Sequence, residues 1–146
     1  MNTLDAMVGY RSPRHRNFGW ASARLDDLVN LGPARVTAAV TVLLAPAVGG
    51  SPAAALRAWR RDGAAHPSPN AGPVEAAAAG ALGLRLGGRT EYPHGVEDRP
   101  TLGEGRLPGV ADLNRAARLS RLVALAAAAL AAAASIRPAH RGRRGR

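Results

Sequence analysis

A mainly α-helical, membrane-associated fold is predicted by three features of this 146-residue chain. Two long stretches carry no charge, alanine occupies 33 positions, and only five residues are aromatic. Alanine and leucine are strong helix formers. So few aromatics mean that any core must be assembled from small side chains. At this length a single domain is the expectation.

The uncharged stretches come first. Residues 36–56 lie between Arg35 and Arg57, and residues 122–136 between Arg121 and Arg137. Crossing a bilayer as a helix takes about 20 apolar residues. The first stretch has the length, but Pro46, Gly49, Gly50 and Pro52 interrupt its second half. The second is shorter and mostly alanine and leucine. Buried helices of a soluble protein are the alternative reading of both. Neither is a secretory signal, because the first 35 residues are polar and carry five arginines.

The remaining elements follow in order. Residues 3–16 (TLDAMVGYRSPRHR) form a turn-rich lead-in, and 17–31 (NFGWASARLDDLVNL) a helix with Trp20, Leu28 and Leu31 on one face. The loop RDGAAHPSPNAG contains too many prolines to continue a helix. A second helix is expected from Pro73, suited to a first helical position, through Leu86 to the Gly87-Gly88 stop. Residues 89–109, with four glycines and three prolines, read as an irregular loop. Residues 111–136 read as one long helix on which Arg115, Arg118 and Arg121 fall three apart.

Missing residue types narrow the chemistry. All 20 basic residues are arginine, so there is no phosphate-gripping lysine and no Schiff base. The absence of cysteine removes disulfides, thiolate catalysis and zinc ribbons. Anions must be held by arginine, backbone amides, hydroxyls or a metal. Half of the +10 net charge comes from five arginines in residues 137–146, a Gly/Arg segment expected to be a disordered tail. A nucleic-acid-binding protein acting through that tail is one competing reading of the charge.

Three clusters exceed what packing requires. In the first, Asp26 and Asn30 stand four apart on one helix face, with Asp27 beside them and Arg24 and Arg35 flanking. Two carboxylates and an amide oxygen within one turn are hard ligands of the kind Mg²⁺ takes, with phosphate completing the shell. The arginines are candidates for phosphate or carboxylate oxygens, and a solvated face of paired charges is the plain alternative. The second cluster is a proline-stiffened loop presenting His66, Ser68 and Asn70 onto a helix start, with Glu75 just inside. That start offers amides and a positive dipole end to an anion, while Glu75 serves either the site or its own helix cap. The third is residues 2–11, in which Asp5 either pairs with Arg11 or joins a site.

Taken together, the strings NTLDAMVGYR, NFGWASARLDDLVN followed by PAR, RDG with HPSPNAGPVEAAAAGALGLRLGG, and YPHG resemble the CobD/CbiB family of cobalamin biosynthesis, the adenosylcobinamide-phosphate synthases. The resemblance covers residues 2–125. It implies a multi-pass helical membrane protein with polar helix–loop regions between hydrophobic helices, located in the cytoplasmic membrane. It also implies a ligase that joins aminopropanol or its phosphate to the propionate side chain of cobyric acid, giving cobinamide or its phosphate. Amide formation from a free carboxylate is uphill, so ATP and Mg²⁺ are the implied cofactors. A corrinoid, an amino alcohol and a lipid bilayer, rather than nucleic acid, are the implied partners.

On that resemblance Asp26, Asp27 and Asn30 would hold the metal, and Arg24, Arg35, Asp5 and Ser68 would bind substrate or phosphate. His66 would serve as base toward the amine, with Asn70 and Glu75 completing the catalytic group and Asn70 and the helix start near Pro73 positioning oxygens. Family members are roughly twice as long, with hydrophobic segments before the NTLDAMVGY string, so residues 1–136 are expected to be a C-terminal portion. An inactive truncated remnant is therefore a further reading. If residues 36–56 crossed a membrane once, the Asp26 and His66 clusters would face opposite sides. A segment that enters, breaks near Pro46 and Gly49-Gly50 and returns is expected instead, or one buried among further helices.

Overall fold

A computed structural model describes residues 16–92 and 95–135, with side chains described for 24–89 and 98–135. The expectations for Asp5, for the 2–11 cluster and for the Arg/Gly tail lie outside these residues. The described chain is mainly helical.

The first helix, α1, runs from Arg16 to Leu44 and fuses the expected 17–31 helix with the first half of the uncharged stretch. Pro33 sits inside it and lacks the N–H that the preceding turn would use. Threonine hydroxyls bond back along the same helix, Thr37 to the Pro33 carbonyl at 2.9 Å and Thr41 to that of Thr37 at 2.8 Å. The break comes where proline and glycine were expected to impose it. A single 3₁₀ turn covers Ala45–Val48, Gly49 takes the left-handed conformation at φ 71°, and the Gly50 amide donates to the Ala45 carbonyl at 2.9 Å. Ser51 then caps α2, Pro52–Asp62, accepting from the Ala54 amide, and the chain has reversed.

Helix α3 spans Ala71–Leu82, and α2 and α3 pack as a hairpin along α1. Its end corrects the sequence expectation. The helix stops at Leu82, because Gly83 adopts φ 66° and turns its amide to the carbonyls of Ala79 and Gly80. The Gly87-Gly88 pair lies in a strand instead. Within the expected 89–109 loop, residues 89–92 and 95–102 are strand instead: β1 (Leu86–Tyr92) and β2 (Gly95–Leu102) pair antiparallel. The pairing slips at Gly87, whose φ of 79° makes a bulge against Pro100. Glycine and proline, which argue for a loop, here shape a two-stranded ribbon in which both strands are edges.

The last helix, α4, covers Asp112–Ser135. Its start is tied down by the buried Asp112 carboxylate, which accepts from the Gly109 amide and from both Arg106 Nη atoms at 2.7 Å. Arg115 also bonds Asp112 and reaches the Val48 carbonyl at 3.1 Å, bracing α4 against the 3₁₀ turn that follows α1. Of the three arginines in register, Arg118 is exposed and Arg121 bonds its own helix at Ala117.

The core is alanine. Ala38, Ala45, Ala55, Ala76, Ala77, Ala79 and Ala81 are fully buried, joined by Val42, Val48, Leu82, Leu84, Leu102 and Leu119. Gly72, Ala76 and Gly80 recur every fourth residue of α3 and are all buried, so that backbones meet directly. A Cβ on Gly80 would lie 2.7 Å from the Ala55 Cα. Among the described residues two segments, Arg24–Val48 and Asp112–Ser135, are helical, long and apolar enough to cross a membrane.

Candidate functional site

The first two sequence clusters meet in space. The turn between α2 and α3 packs on the first half of α1, and the Asn70 Nδ2 donates to the Asp27 carbonyl at 3.0 Å and more weakly to its carboxylate at 3.4 Å. Two turns further on, Arg35 donates to the Leu31 carbonyl at 3.0 Å and to that of Pro69 at 3.4 Å. Arg24 is exposed on the same helix.

The turn is rigid for identifiable reasons. Pro67 and Pro69 fix φ on either side of Ser68. The Ser68 hydroxyl accepts from the amides of Asn70 and Ala71 at 3.3 and 3.2 Å, and its carbonyl accepts from Gly72 at 3.2 Å. Pro73 has no amide to offer. The start of α3 is therefore closed by Ser68, and the expectation that it holds an anion is not met in this arrangement. Gly63 and Gly72 close the turn at its base, where a Cβ on Gly72 would overlap the Gly63 carbonyl and lie 2.7 Å from the His66 Cβ.

His66 is partly buried, and its Nδ1 accepts the Ser68 backbone amide at 3.0 Å. Its Nε2 stands 3.7 Å from the Glu75 Oε2. Glu75, half-exposed, faces this histidine rather than capping its own helix.

Two buried oxygens lack any hydrogen-bond partner, Asp26 Oδ1 and Asn70 Oδ1. The Asn70 amide group faces a carbonyl, so its nitrogen must be the donor there and its oxygen is the free end. The Asn30 Nδ2 donates to the Asp26 carbonyl at 2.9 Å, which likewise leaves its oxygen to offer. Asp27, adjacent to Asp26 in a helix, points elsewhere and is tied to the turn. No group of three or more His, Cys, Asp or Glu side chains converges among the described residues. Of the three residues expected to hold a metal, Asp26 has an unpartnered oxygen and Asn30 stands one turn away on the same helix, while Asp27 is tied to the turn.

Sequence reasoning missed Asp62. Its carboxylate is buried and accepts from Arg61 Nε and Nη2 at 2.5 and 2.7 Å and from the Gly103 amide at 2.8 Å. Arg61 also pairs with Glu104. The Asp62 carbonyl accepts from Ala65, starting the turn that carries His66. The hydrogen bonds from Arg61, helped by that from Gly103, hold the Asp62 carboxyl below the usual aspartate range against the opposing effect of burial. The available signal was the RDG string, an acid at the end of α2 immediately before a glycine.

No solved structure matches the chain. A cobalamin biosynthesis protein CobD of Mycobacterium tuberculosis is 66% identical over 121 residues, covering 83% of this chain and 39% of the relative. Those of Chromobacterium violaceum and Geobacter metallireducens are 50% and 53% identical over 81% and 74% of this chain, and 36% and 34% of their own lengths. The chain therefore spans well under half the length of the curated relatives it matches. The family described as CobD/CbiB protein matches residues 1–140, nearly the whole sequence. This chain belongs to the CobD/CbiB family.

Proposed function

We propose that this chain acts in cobalamin biosynthesis, as part of a membrane enzyme that joins the amine of aminopropanol or its phosphate to the propionate carboxyl of cobyric acid. The observation that carries this reading is the Asn70–Asp27 hydrogen bond, which unites two polar clusters 43 residues apart. Unrelated surface segments have no reason to join a helix bearing two aspartates and an arginine to the turn that carries a histidine–glutamate pair.

The residues divide the work by their chemistry. Asp26 and Asn30 share a helix face and offer oxygens, fitting Mg²⁺, with Asp27 adding charge; the ion would neutralise ATP phosphates when bound. Arg24 and Arg35, exposed on the same helix, would hold substrate or phosphate oxygens. The Asn70 Nδ2 is engaged, so Asn70 contributes its acceptor, suited to an amine N–H rather than to a carboxylate. Ser68 holds the turn, and His66 with Glu75 handles the proton that the amine must lose.

In the membrane reading, α1 and α4 cross the bilayer, as expected of a multi-pass protein of the cytoplasmic membrane. Helices α2 and α3, of 11 and 12 residues, reach only about 18 Å and return within it as a hairpin. Arg57 and Arg60 are exposed on α2, so that face turns to a polar cavity or to water rather than to lipid. Cysteines placed at Ser22 and Ser68 then react with an impermeant thiol reagent from the same side; opposite labelling removes this topology.

The activity is tested in a bacterium lacking its own cobyrate–aminopropanol synthase and fed cobyric acid, with cobinamide read by mass spectrometry. The 146-residue chain runs beside one extended to the full length of its relatives. Cobinamide from the extended chain, lost on Asp26→Ala, supports the proposal. No cobinamide from an extended chain that is present in the membrane overturns it.

A further inference from the structure

The proposed reaction needs a group to accept the amine proton, and the sequence directs attention to His66. The geometry around the ring directs it elsewhere. A backbone amide is a donor in every protonation state of its neighbours, and that of Ser68 points at the His66 Nδ1 from 3.0 Å, whereas the Ser68 carbonyl oxygen stands farther from the same nitrogen, at 3.4 Å. Nδ1 is therefore the acceptor, and the neutral ring carries its proton on Nε2. Nε2 is the nitrogen that faces Glu75, 3.7 Å from Oε2. The lone pair of the imidazole is turned into the rigid Pro67–Ser68–Pro69 turn, and the ring presents an N–H to a carboxylate.

Exposure runs the same way. The Glu75 side chain is 51% exposed and that of His66 only 23%, so of the two the carboxylate is the more open to an incoming substrate. The stem of the His66 side chain is closely packed, because a methyl group on Gly72 would lie 2.7 Å from the His66 Cβ.

We infer that Glu75 is the proton acceptor of this site and His66 its positioning residue, the Ser68 amide fixing the ring so that Nε2–H aims the carboxylate. The inference rests on the amide-forming reading above. As the amine nitrogen bonds to the activated carboxyl carbon of an ester- or anhydride-type substrate, that carbon loses its oxygen leaving group, which keeps the electron pair. The proton shed by the nitrogen passes to a Glu75 oxygen.

The test uses the full-length enzyme in detergent or vesicles. Glutamine at position 66 can place an amide N–H near the Nε2 position but has no basic lone pair. His66→Gln is expected to lower kcat about tenfold, whereas Glu75→Gln, which removes the base, lowers it by a hundredfold or more with KM little changed, in keeping with the 10²–10⁴ range of general-base catalysis. The reverse ranking overturns the assignment. Nitrogen-15 NMR of the wild-type ring, above the ordinary histidine range, supplies a readout independent of activity and of variant folding. An unprotonated Nδ1 and a protonated Nε2 are expected, and the opposite tautomer overturns the inference. Absence of amide formation by the wild-type enzyme would count against the reaction itself, while the tautomer would still decide the role of His66.

Discussion

The α2–α3 hairpin and the outer parts of α1 and α4 are built from nearly the same residues, yet they have opposite fates. In the hairpin every alanine from Ala76 to Ala81 is buried except the partly covered Ala78. In α1 and α4 large apolar residues stay exposed, Leu43 at 75% and Leu125 at 69%. Apolar content therefore does not select the core here. What differs is the spacing of the smallest residues: Gly72, Ala76 and Gly80 let α3 approach α2 until backbone meets backbone, and the second half of α4 has no glycine. Packing of this kind, with small residues at the contact and large ones outside, suits helices surrounded by an apolar medium.

The hardest way to break that contrast is to add bulk on each side of it. Gly80→Leu puts a branched side chain into the Ala54–Ala55 backbone, which cannot yield without separating the helices. A loss of about 3 kcal/mol or more, or failure to accumulate, is expected. Ala128→Leu adds a comparable side chain on the open part of α4 and is expected to change stability by less than about 0.5 kcal/mol. Denaturant midpoints of the two variants in one detergent check the difference.

A smaller effect tests how the hairpin holds its polar turn. Asp62→Ala removes the acceptor shared by Arg61 and Gly103 and leaves the Gly103 amide buried without a partner. A loss of about 1–3 kcal/mol is expected, with proteolysis appearing first in β2 and the 63–70 turn. The pH dependence has a definite sign. The folded carboxyl is lowered below the unfolded aspartate value of about 3.9, so its contribution is fully present above that value. It is lost as pH falls through the lowered folded value. Acid should loosen the wild-type hairpin, and the Asp62→Asn variant should lack this component; identical acid profiles would refute the assignment.

These cases also mark what the sequence made legible. Proline and glycine at positions 46, 49 and 50 stop α1 where they were expected to, because the φ they fix or permit is a local property. The union of the Asp27 and Asn70 regions was anticipated only from the need for one site, since a contact 43 residues apart leaves no periodic trace. The β-ribbon was missed because its glycines and prolines are read locally as loop, whereas the register of β1 and β2 is set by pairing between strands. Asp62 was missed for a similar reason: its partner Gly103 lies 41 residues away. The free oxygen of Asn70 and the engaged Nδ1 of His66 depend on a few ångströms of turn geometry that composition does not encode.

The smallest expected effect bears on what covers the outer helices. Leu125 has little protein around it in this chain, so Leu125→Ala should shift stability by less than about 0.5 kcal/mol when the 146 residues are studied alone. The informative comparison is the same change in the full-length protein. A lipid-facing leucine leaves no cavity when shortened, because acyl chains fill the space, and the change stays near zero. A leucine packed under another helix leaves a hole that its surroundings fill only partly, at about 2–5 kcal/mol. The near-zero result is expected for Leu125, on the largely exposed second half of α4. It would make this face the lipid boundary, and a loss of several kcal/mol would instead make it an internal seam and move that boundary outward.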